Sequence, residues 1–490
     1  MGKRTTVDVV IIGTGFSGLG MAIQLKKSGR DDFVMLEKAN EVGGTWRENT
    51  YPGCACDVQS HMYSFSFEQN PQWSRTFSRQ PELFGYLKDV ADKYRLRRHI
   101  DFGVEVTGAR YDEEEQRWHV STAAGETYLA RAVASGAGAL HIPQVPDLPG
   151  LARFAGKTFH SAQWDHEYDL RGKRVAVIGT GASAIQFVPQ IAGEVTQLHL
   201  FQRTPPWVMP KPDRPVPAWL RWTFSRLPFT QHAYRSALYW SREATVPGFN
   251  GMAPQLMKVA ERIARRRLAH QVADPAVRRK LTPDYSLGCK RVLLSNDYLP
   301  TFNRDNVHVV NDGIAEVTEH SVIAADGTET EVDAIIFGTG FKVIDALEHL
   351  EFIGRDGANL GKQFAEKGLQ TYLGINVAGF PNLFLLLGPN TGLGHNSVVF
   401  MIEQQARYVV ACLDLLERRC ASTMDVRPRA EQRFNADIQR KLNRSVWVRG
   451  GCTSWYLDAQ GVNRTLWPGS TWNYWRKTRS VDTGAYEFAS

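Results

Sequence analysis

Cysteine is scarce in this chain, and it contains no long apolar run. Only six of the 490 residues are cysteine, and their spacing fits neither a metal-binding cluster nor the disulfide framework of a small secreted domain. We therefore expect a reducing, cytoplasmic compartment and no bound metal. No apolar run approaches the roughly 20 residues that a membrane-spanning helix needs, so no transmembrane segment is predicted.

A large excess of charge of one sign is also missing. The 58 lysines and arginines exceed the 51 acidic residues by seven. So small an excess favours local phosphate-binding pockets over a surface for a polyanion, and we predict no nucleic-acid partner. The length suggests two to four domains. The first six residues fit only the loose pattern for N-terminal myristoylation, and because an apolar strand follows at once we do not expect the modification.

A glycine-rich turn follows the first apolar run, Val7–Ile12. It has the form Gly13-x-Gly15-x-x-Gly18 and leads into a helical pattern. Glycines at these places permit a tight turn and a close approach of the backbone to a pyrophosphate, which rests on the N-terminus of the helix. The next apolar run ends at Glu37, whose carboxylate would accept ribose hydroxyl groups. This spacing predicts a dinucleotide site.

The same pattern recurs in the middle of the chain as Gly179-x-Gly181-x-x-Ala184. The strand that follows ends at Arg203, in the place that Glu37 has in the first pattern. An arginine there suits a 2′-phosphate, which a carboxylate would repel. We therefore predict FAD at the first site and NADPH at the second.

Two further glycine segments have strand or loop character. Val332–Phe341 is an apolar strand that ends in Gly338-Thr339-Gly340, and we expect the chain to cross there from the second nucleotide domain back to the first. The loop Gly388–Ser397 precedes a helical pattern. Its backbone N–H groups could point at an electron-rich flavin ring, although an ordinary strand–helix turn has the same pattern.

One segment just before the second turn has a distinctive form. Its pattern F-x-G-x-x-x-H-x-x-x-W-D is made by Phe154, Gly156, His160, Trp164 and Asp165. The segment resembles the fingerprint of the Baeyer–Villiger monooxygenases, flavoproteins related to the flavin-containing monooxygenases. The resemblance implies that this segment joins the two nucleotide domains, and that His160 maintains the interdomain geometry without reacting with the substrate.

Two more segments resemble the same family. Gly43–Asp57 is similar to a family segment that lies against the flavin, and its Asp57 matches a carboxylate that pairs with the active-site arginine. That arginine matches Arg291, and Lys290 matches the residue that adds charge for the 2′-phosphate. A permanent cation would stabilise an oxygen anion near the flavin, and the neighbouring carboxylate would hold it in position. We therefore assign catalysis to Arg291 and Asp57.

The glycine turns and the resemblance together assign the cofactor-binding residues. They are Gly13, Gly15, Phe16, Ser17, Gly18, Glu37, Lys38, Gly44, Thr45, Trp46, Asp57, Tyr63, Val106, Gly179, Thr180, Gly181, Ala182, Ser183, Ala184, Arg203, Thr204, Lys290, Arg291, Asn390 and Trp455. Trp455 belongs to Ser454-Trp455-Tyr456, which resembles a mobile family loop whose tryptophan covers the nicotinamide nucleotide. Packing in the core would also account for many aromatic residues in this region.

The resemblance implies an α/β fold with two Rossmann-like dinucleotide-binding domains, for FAD and NADPH, and a helical insertion. We assign residues 1–145 and 343–490 to the FAD domain, 146–205 and 286–342 to the NADPH domain, and 206–285 to the insertion. The insertion contains an arginine run. Such a run is typical of a solvated helix face, although membrane and nucleic-acid surfaces use similar sequences.

The implied reaction is the insertion of one oxygen atom of O2 beside a ketone carbonyl through a C4a-peroxyflavin, which gives an ester or a lactone. Three alternatives share some of these features. Heteroatom oxygenation to N-oxides or sulfoxides uses the same nucleotide sites without the arginine. A disulfide reductase would use Cys54-Ala55-Cys56, although redox dithiols usually occur as CxxC or with wider spacing. A flavin-binding protein without catalysis is the third.

Overall fold

The computed structural model describes residues 4–138, 140–342 and 350–490. Apolar runs rich in valine and isoleucine form its central strands, as β-branched side chains favour. The strands are β1 (Arg4–Ile12), β2 (Phe33–Glu37), β3 (Ile100–Phe102), β4 (Val106–Asp112), β5 (Arg117–Thr122), β6 (Thr127–Ser135), β7 (Lys157–His160), β8 (Arg174–Ile178), β9 (Gln197–Phe201), β10 (Val208–Met209), β11 (Leu293–Leu294), β12 (Val307–Val310), β13 (Ile314–Val317), β14 (Ser321–Ala324), β15 (Glu329–Glu331), β16 (Ala334–Phe337), β17 (Glu351–Ile353), β18 (Leu383–Leu385), β19 (Thr423–Val426) and β20 (Tyr486–Ala489).

Helices connect and cover these strands. They are α1 (Phe16–Lys27), α2 (Thr45–Glu48), α3 (Gln80–Lys93), α4 (Ala184–Ile191), α5 (Ala218–Arg226), α6 (Pro228–Glu243), α7 (Val246–Phe249), α8 (Pro254–Gln271), α9 (Pro275–Lys280), α10 (Tyr298–Thr301), α11 (Leu360–Lys367), α12 (Val398–Arg418), α13 (Pro428–Leu442), α14 (Val446–Arg449) and α15 (Thr471–Thr478). Short 3-10 helices lie at Arg97–His99, Leu151–Arg153, Ser161–Gln163, Arg355–Gly357 and Thr483–Ala485.

Two sheets with parallel central strands hold the two glycine turns. Within the described residues, the first has eight strands in the order β17-β4-β5-β6-β1-β2-β3, with β18 beside β6. The second has five strands, all parallel, in the order β12-β9-β8-β16-β7. Both turns leave the carboxyl end of a central strand, β1 or β8, which is where doubly wound sheets bind ligands. The predicted α/β class with two dinucleotide-binding sheets is confirmed.

The smaller elements complete the chain. Strands β13, β14 and β15 form an antiparallel sheet, β10 pairs with β11, and β19 pairs with β20. Helices α5 to α9 lie between residues 206 and 285, where a helical insertion was predicted. The exact domain boundaries stay a prediction, and one of them, residue 343, lies outside the described residues.

Helix α1 packs closely against helix α12 and the loop before α3. A Cβ added at Gly20 would lie 3.1 Å from a methyl group of Ile402 and 3.1 Å from the ring of Phe65. A larger side chain at this position would therefore push helix α1 away from Ile402 and Phe65. The core around it is close-packed, as in protein interiors generally.

One pair of cysteines is bonded in the structure. Cys289 and Cys452, 163 residues apart in sequence, form a disulfide bond, which their spacing did not predict. Cys54, Cys56, Cys412 and Cys420 are free thiols. In the described parts of the chain, no helix is both long enough and apolar enough to cross a bilayer. The myristoylation pattern begins at Met1, and its Gly2 lies outside the described residues.

Two carboxylic acids are buried where strand β19 meets helix α13. Glu431 accepts a hydrogen bond from the backbone N–H of Ala378 at 3.1 Å, and Asp425 accepts one from Gly379 at 3.1 Å. Burial raises the pKa of Glu431 to about 7 and the pKa of Asp425 to about 6. Each group is thus easier to protonate in the folded chain than in the unfolded chain.

The raised pKa of Glu431 makes the free energy of unfolding depend on pH. Between the ordinary glutamate pKa of 4.5 and about 7, the unfolded chain has released the proton of Glu431 while the folded chain keeps it. The free energy of unfolding should therefore fall as pH rises through this window and stay lower above it. We expect Glu431→Gln to exceed the wild type in stability by about 2–3 kcal/mol at pH 8 and by less than about 1 kcal/mol at pH 5.

Urea unfolding of both proteins at the two pH values measures this difference. The matched control is Glu114→Gln, because Glu114 is an exposed glutamate in the turn between β4 and β5. Its stability should follow that of the wild type at both pH values. A Glu431→Gln effect of equal size at pH 5 and pH 8 would show that the ionisation of Glu431 does not set the difference.

Candidate functional site

The first glycine turn brings the backbone of helix α1 onto strand β1. Gly13 has φ +87°, and a Cβ there would lie 2.9 Å from the carbonyl oxygen of Gly136. A Cβ at Gly18 would lie only 1.9 Å from the carbonyl oxygen of Gly13. Larger residues are therefore excluded at both places. Phe16 and Ser17 are buried at the start of the helix, whose first N–H groups face the turn.

Glu37 fastens this turn from the end of strand β2. Its carboxylate accepts hydrogen bonds from the backbone N–H and the hydroxyl of Thr14, at 3.0 and 2.6 Å. It also accepts one from the backbone N–H of Ala39 at 3.0 Å and pairs with Arg47 at 3.1 Å. The carboxylate is therefore held in one orientation and buried beside the glycine turn. Lys38, which follows it, is exposed.

A second loop lies directly against the first turn. A Cβ at Gly44 would lie 3.1 Å from the Cα atom of Gly15. Trp46 donates a hydrogen bond from its indole N–H to the hydroxyl of Tyr63 at 3.3 Å, and the Tyr63 ring packs edge-on against Phe16 at 5.1 Å. The predicted residues of both loops thus form one aromatic wall. The other two residues predicted for this site differ in exposure: Thr45 is exposed and Val106 is buried.

The second glycine turn is also in close contact with a distant backbone segment, here the end of strand β16. Gly179 has φ +102°, and a Cβ there would lie 2.6 Å from the carbonyl oxygen of Gly338. A Cβ at Gly338 would in turn lie 3.1 Å from the Cβ atom of Ala184, the first residue of helix α4. The predicted crossing strand β16 therefore supports the turn. Three other predicted residues, Gly181, Ala182 and Ser183, form its solvent-facing side.

Two cations lie together beside the second turn. Arg203 is exposed just after strand β9, and the Thr180 hydroxyl donates a hydrogen bond to the carbonyl oxygen of Thr204 at 3.3 Å. Burial lowers the pKa of Lys290, and the positive charge of Arg203 lowers it further. The two cations therefore repel each other. An anion between them would remove that repulsion, as a 2′-phosphate does.

The structure brings Arg291 and Asp57 into direct contact. Nε of Arg291 donates to Oδ2 of Asp57 at 2.7 Å, and Nη2 lies 2.6 Å from the same oxygen. The charge of Asp57 raises the pKa of Arg291, so the guanidinium is always protonated. Because Asp57 uses only Nε and Nη2, the N–H groups of Nη1 point away from the pair.

Aromatic residues surround this ion pair. Burial raises the pKa of Tyr456 to about 12, while the charge of Arg291 lowers it and that of Asp57 raises it. The same two charges act on Tyr63, whose pKa is also raised by burial. Trp455 is 46% exposed, and its ring lies 4.5 Å from the ring of Tyr456. The predicted Trp455 thus stands at the solvent edge of the Arg291 site.

The fingerprint segment runs along the second sheet. A Cβ at Gly156 would lie 2.5 Å from the carbonyl oxygen of Asp333 and 2.5 Å from the ring of Phe154. His160 ends strand β7, is buried, and accepts a hydrogen bond from the backbone N–H of Ala162 at 3.1 Å. Burial lowers the pKa of His160, so it is neutral at physiological pH. This environment fits a structural histidine.

The last part of the fingerprint connects two elements of the second sheet. The ring of Trp164 packs against the ring of Phe159 at 5.2 Å and against that of Phe187 at 5.3 Å. Asp165 pairs with Lys157 at 2.6 Å. These contacts join strand β7 to helix α4, whose N-terminus faces the second glycine turn.

The loop Gly388–Ser397 is fastened to the C-terminal region. Asn390, at φ +58°, donates from its side-chain amide to the carbonyl oxygens of Asn463 at 3.1 Å and Leu466 at 3.2 Å. Both amide hydrogens are thus used within the protein. Any contact of Asn390 with a cofactor would involve its other atoms, and its cofactor role stays a prediction.

Sequence patterns did not indicate three residues that hold the site together. The amide of Gln186, on helix α4, binds the hydroxyl of Tyr51 and both backbone groups of Ala55, at 3.1, 3.2 and 2.9 Å. It joins the loop that carries Asp57 to the second nucleotide-binding helix. Glu243, on helix α6, accepts hydrogen bonds from Asn396 and from Thr471, each at 2.7 Å. Tyr456 is the third, and its position beside Trp455 was the available signal.

The cysteines near Asp57 do not form a reactive dithiol. Cys54 and Cys56 are both buried and are not bonded to each other. Burial raises the pKa of Cys54 to about 11 and raises the pKa of Cys56 as well. Since the thiolate is the nucleophile in disulfide exchange, this environment argues against a disulfide reductase.

Comparison with known proteins connects this geometry to a family. Residues 10–234 match the family model described as pyridine nucleotide-disulphide oxidoreductase. A cyclohexanone monooxygenase from Rhodococcus sp. Phi1, solved with NADP+ bound, superposes with a TM-score of 0.89 at 30% identity, over 100% of both chains. The OTEMO complex with FAD and NADP gives a TM-score of 0.88 at 28% identity, over 99% of this chain and 100% of that one.

A curated relative shows greater similarity in sequence. The Baeyer–Villiger monooxygenase of Pseudomonas aeruginosa is 53% identical over 483 residues, which cover 98% of this chain and 91% of the relative. The similarity thus extends over almost the whole chain. The chain therefore belongs to the Baeyer–Villiger monooxygenases.

Proposed function

We propose that this chain is a FAD- and NADPH-dependent monooxygenase that inserts one oxygen atom of O2 beside a ketone carbonyl. The products are an ester or a lactone, NADP+ and water. The observation that carries the proposal is the contact of Arg291 with Asp57, at 2.7 Å, among aromatic residues. A fixed cation beside a reaction space stabilises negative charge on oxygen, which addition to a ketone generates.

The residues present fit both nucleotides. The turns at Gly13 and Gly179 exclude a Cβ, so their backbones can approach a pyrophosphate closely. Glu37 supports the first nucleotide, and Arg203 with Lys290 supports the 2′-phosphate of the second. When bound, FAD and NADPH supply hydride transfer and the activation of O2.

The chain's own residues then have separate roles. Asp57 holds the guanidinium of Arg291 in one orientation through Nε and Nη2, and the N–H groups of Nη1 would stabilise an oxygen anion. Trp455 forms the solvent edge of this space in front of the buried Tyr456 and would exclude water when a nucleotide lies beneath it. Gln186 keeps the Asp57 loop against helix α4.

Turnover with isotopically labelled O2 tests the proposed reaction. The purified protein is supplied with NADPH, ¹⁸O2 and a panel of aliphatic, cyclic and aryl ketones, and the products are identified by mass. We expect one labelled oxygen atom in the ester or lactone, with NADPH consumption that depends on the ketone.

A parallel panel of thioethers and amines distinguishes the proposal from heteroatom oxygenation. Labelled sulfoxides or N-oxides without any labelled ester would replace the proposed function with that alternative. Bound flavin with no NADPH-dependent oxygen uptake on any substrate would indicate a flavin-binding protein without catalysis.

The choice of NADPH over NADH gives a second test. We expect Arg203→Ala to raise the KM for NADPH by roughly 10- to 100-fold, because a charge-assisted contact with phosphate contributes about 1.5–3 kcal/mol. The KM for NADH and the kcat should change little, since NADH has no 2′-phosphate. Steady-state kinetics with both coenzymes measure the difference.

The matched control is Arg171→Ala, which removes another exposed arginine just before strand β8 of the same sheet. It should leave both KM values unchanged. An equal rise in KM for NADPH and NADH in Arg203→Ala would contradict a phosphate contact at residue 203.

A further inference from the structure

The helical insertion carries the positive charge of the whole chain. Residues 206–285 contain 14 lysines and arginines and five acidic residues, a net charge of +9. Since the entire chain has a net charge of +7, the other 410 residues sum to −2. The excess of positive charge is thus concentrated in this insertion.

Most of the exposed large apolar side chains also lie in the insertion. Nine of the 13 that are exposed in the described part of the chain lie within it. They are Trp219, Trp222, Leu227, Phe229, Trp240, Met252, Leu256, Val259 and Ile263. Single exposed apolar residues are normal, but such a concentration on one small region marks an interaction surface.

Helix α8 shows how this surface is built. Its inner face, formed by Met257, Ala264 and Leu268, is buried. Leu256, Val259 and Ile263 recur at intervals of three and four residues and are 45%, 50% and 46% exposed. This spacing places the three side chains in one stripe on the helix. A solvated helix would have polar residues along that stripe.

Basic residues flank the exposed stripe. Lys258, Arg262 and Arg266 are exposed on the same helix. The helix's acidic residue, Glu261, accepts a hydrogen bond from the backbone N–H of Leu287 at 2.9 Å and so faces the protein. The outer side of helix α8 therefore combines aliphatic and cationic groups without an opposing carboxylate from Glu261.

Helix α5 and the first turn of helix α6 add aromatic residues to the insertion's surface. Trp219 and Trp222 are one helical turn apart and are 68% and 61% exposed, and Phe229 is 68% exposed. Arg226 is exposed between them. Tryptophan beside arginine is the composition found where proteins contact the headgroup region of a bilayer.

We propose that the helical insertion binds an anionic lipid surface. Helix α8 lies in the plane of the interface, with Leu256, Val259 and Ile263 at the acyl boundary and the flanking cations on lipid phosphates. A second copy of the chain fits less well, because its insertion carries the same charge. Nucleic acid would engage the cations but gains nothing from an aliphatic stripe. The arginine run was expected to form a solvated face, and its apolar neighbours distinguish it from one.

Vesicle binding by the full-length protein tests this inference. The probes are vesicles of phosphatidylcholine alone and vesicles with about 30 mol% phosphatidylglycerol. We expect binding to the anionic vesicles at low ionic strength, at least about tenfold weaker binding to the neutral ones, and a loss of affinity as salt is added.

Two triple variants separate the contributions. Leu256→Ser with Val259→Ser and Ile263→Ser should weaken binding to anionic vesicles by roughly 10- to 100-fold, because the apolar contact is lost. Lys258→Glu with Arg262→Glu and Arg266→Glu should weaken it by at least about 100-fold, since each surface cation contributes about 1 kcal/mol. All six positions are exposed, so thermal stability and NADPH oxidation should stay as in the wild type.

Matched controls replace exposed residues outside the insertion. Leu140→Ser with Val145→Ser controls for lost apolar surface, and Arg429→Glu with Arg433→Glu and Lys477→Glu controls for reversed charge. Equal binding to neutral vesicles, full binding by the serine variant, or equal losses in the controls would each overturn the proposal. Binding to a short DNA duplex without binding to vesicles would replace lipid with nucleic acid.

Discussion

Arg291→Ala is expected to lower ester formation by about 10³-fold in kcat/KM, which corresponds to about 4 kcal/mol of transition-state stabilisation. The guanidinium is the fixed cation of the site, held by Asp57 at 2.7 Å, and alanine removes this cation from beside the developing negative charge. Ester formation is measured by product mass with a ketone that the wild type accepts. Bound FAD, measured by absorbance, should remain at the wild-type level.

Variants of the ion pair show whether charge or shape is decisive. Arg291→Lys retains the charge, but lysine has no planar guanidinium that can bind Asp57 and at the same time donate to an oxygen anion. We therefore expect kcat/KM for ester formation to fall by roughly 10- to 100-fold. Asp57→Ala removes the residue that orients the guanidinium, and its effect should not add to that of Arg291→Ala in the double variant. The matched control is Arg433→Ala, an exposed arginine on helix α13. If Arg291→Ala forms ester at a near wild-type rate, the assigned role is wrong.

Sequence patterns could predict the strands and glycine turns of the site, because residues close together in sequence determine them. The run Val7–Ile12 predicted a strand and forms most of β1, and Glu37 ends β2 as expected. The first glycine turn shows this, since a Cβ at Gly18 would lie 1.9 Å from the carbonyl oxygen of Gly13 in the same turn. Family resemblance then selected Arg291 and Asp57, which are 234 residues apart in sequence and in contact in the structure.

The parts that could not be predicted depend on how distant surfaces face each other. Gln186 lies on the helix after the second turn, and nothing local indicates that its amide binds Ala55, 131 residues away. The same holds for Glu243, which reaches from the insertion to Asn396 and Thr471. Periodicity identifies the buried face of a helix but not the segment that covers it. A polar residue on the buried face of a helix finds its hydrogen-bond partner only when the domains pack together, so its sequence neighbours do not reveal that partner.

The disulfide between Cys289 and Cys452 is the second feature with a large expected effect. It joins the segment of Arg291 to the segment of Trp455 across 163 residues. A cross-link over so long a loop restricts the unfolded chain strongly, and its loss should lower the free energy of unfolding by about 2–5 kcal/mol. We expect Cys289→Ala with Cys452→Ala to have a lower Tm than the wild type, and to form less ester per NADPH because the two site segments are no longer linked.

Reductant and thiol counting make this expectation specific. Denatured wild-type protein without reductant should show four free thiols, from Cys54, Cys56, Cys412 and Cys420, and six after reduction. A reductant should lower the Tm of the wild type toward that of the double variant and leave the variant unchanged. Cys420→Ala, which removes an exposed free thiol, should behave as the wild type does. Six free thiols before reduction would mean that the bond does not form in the purified protein, and the link between the Arg291 and Trp455 segments would then rest on packing alone.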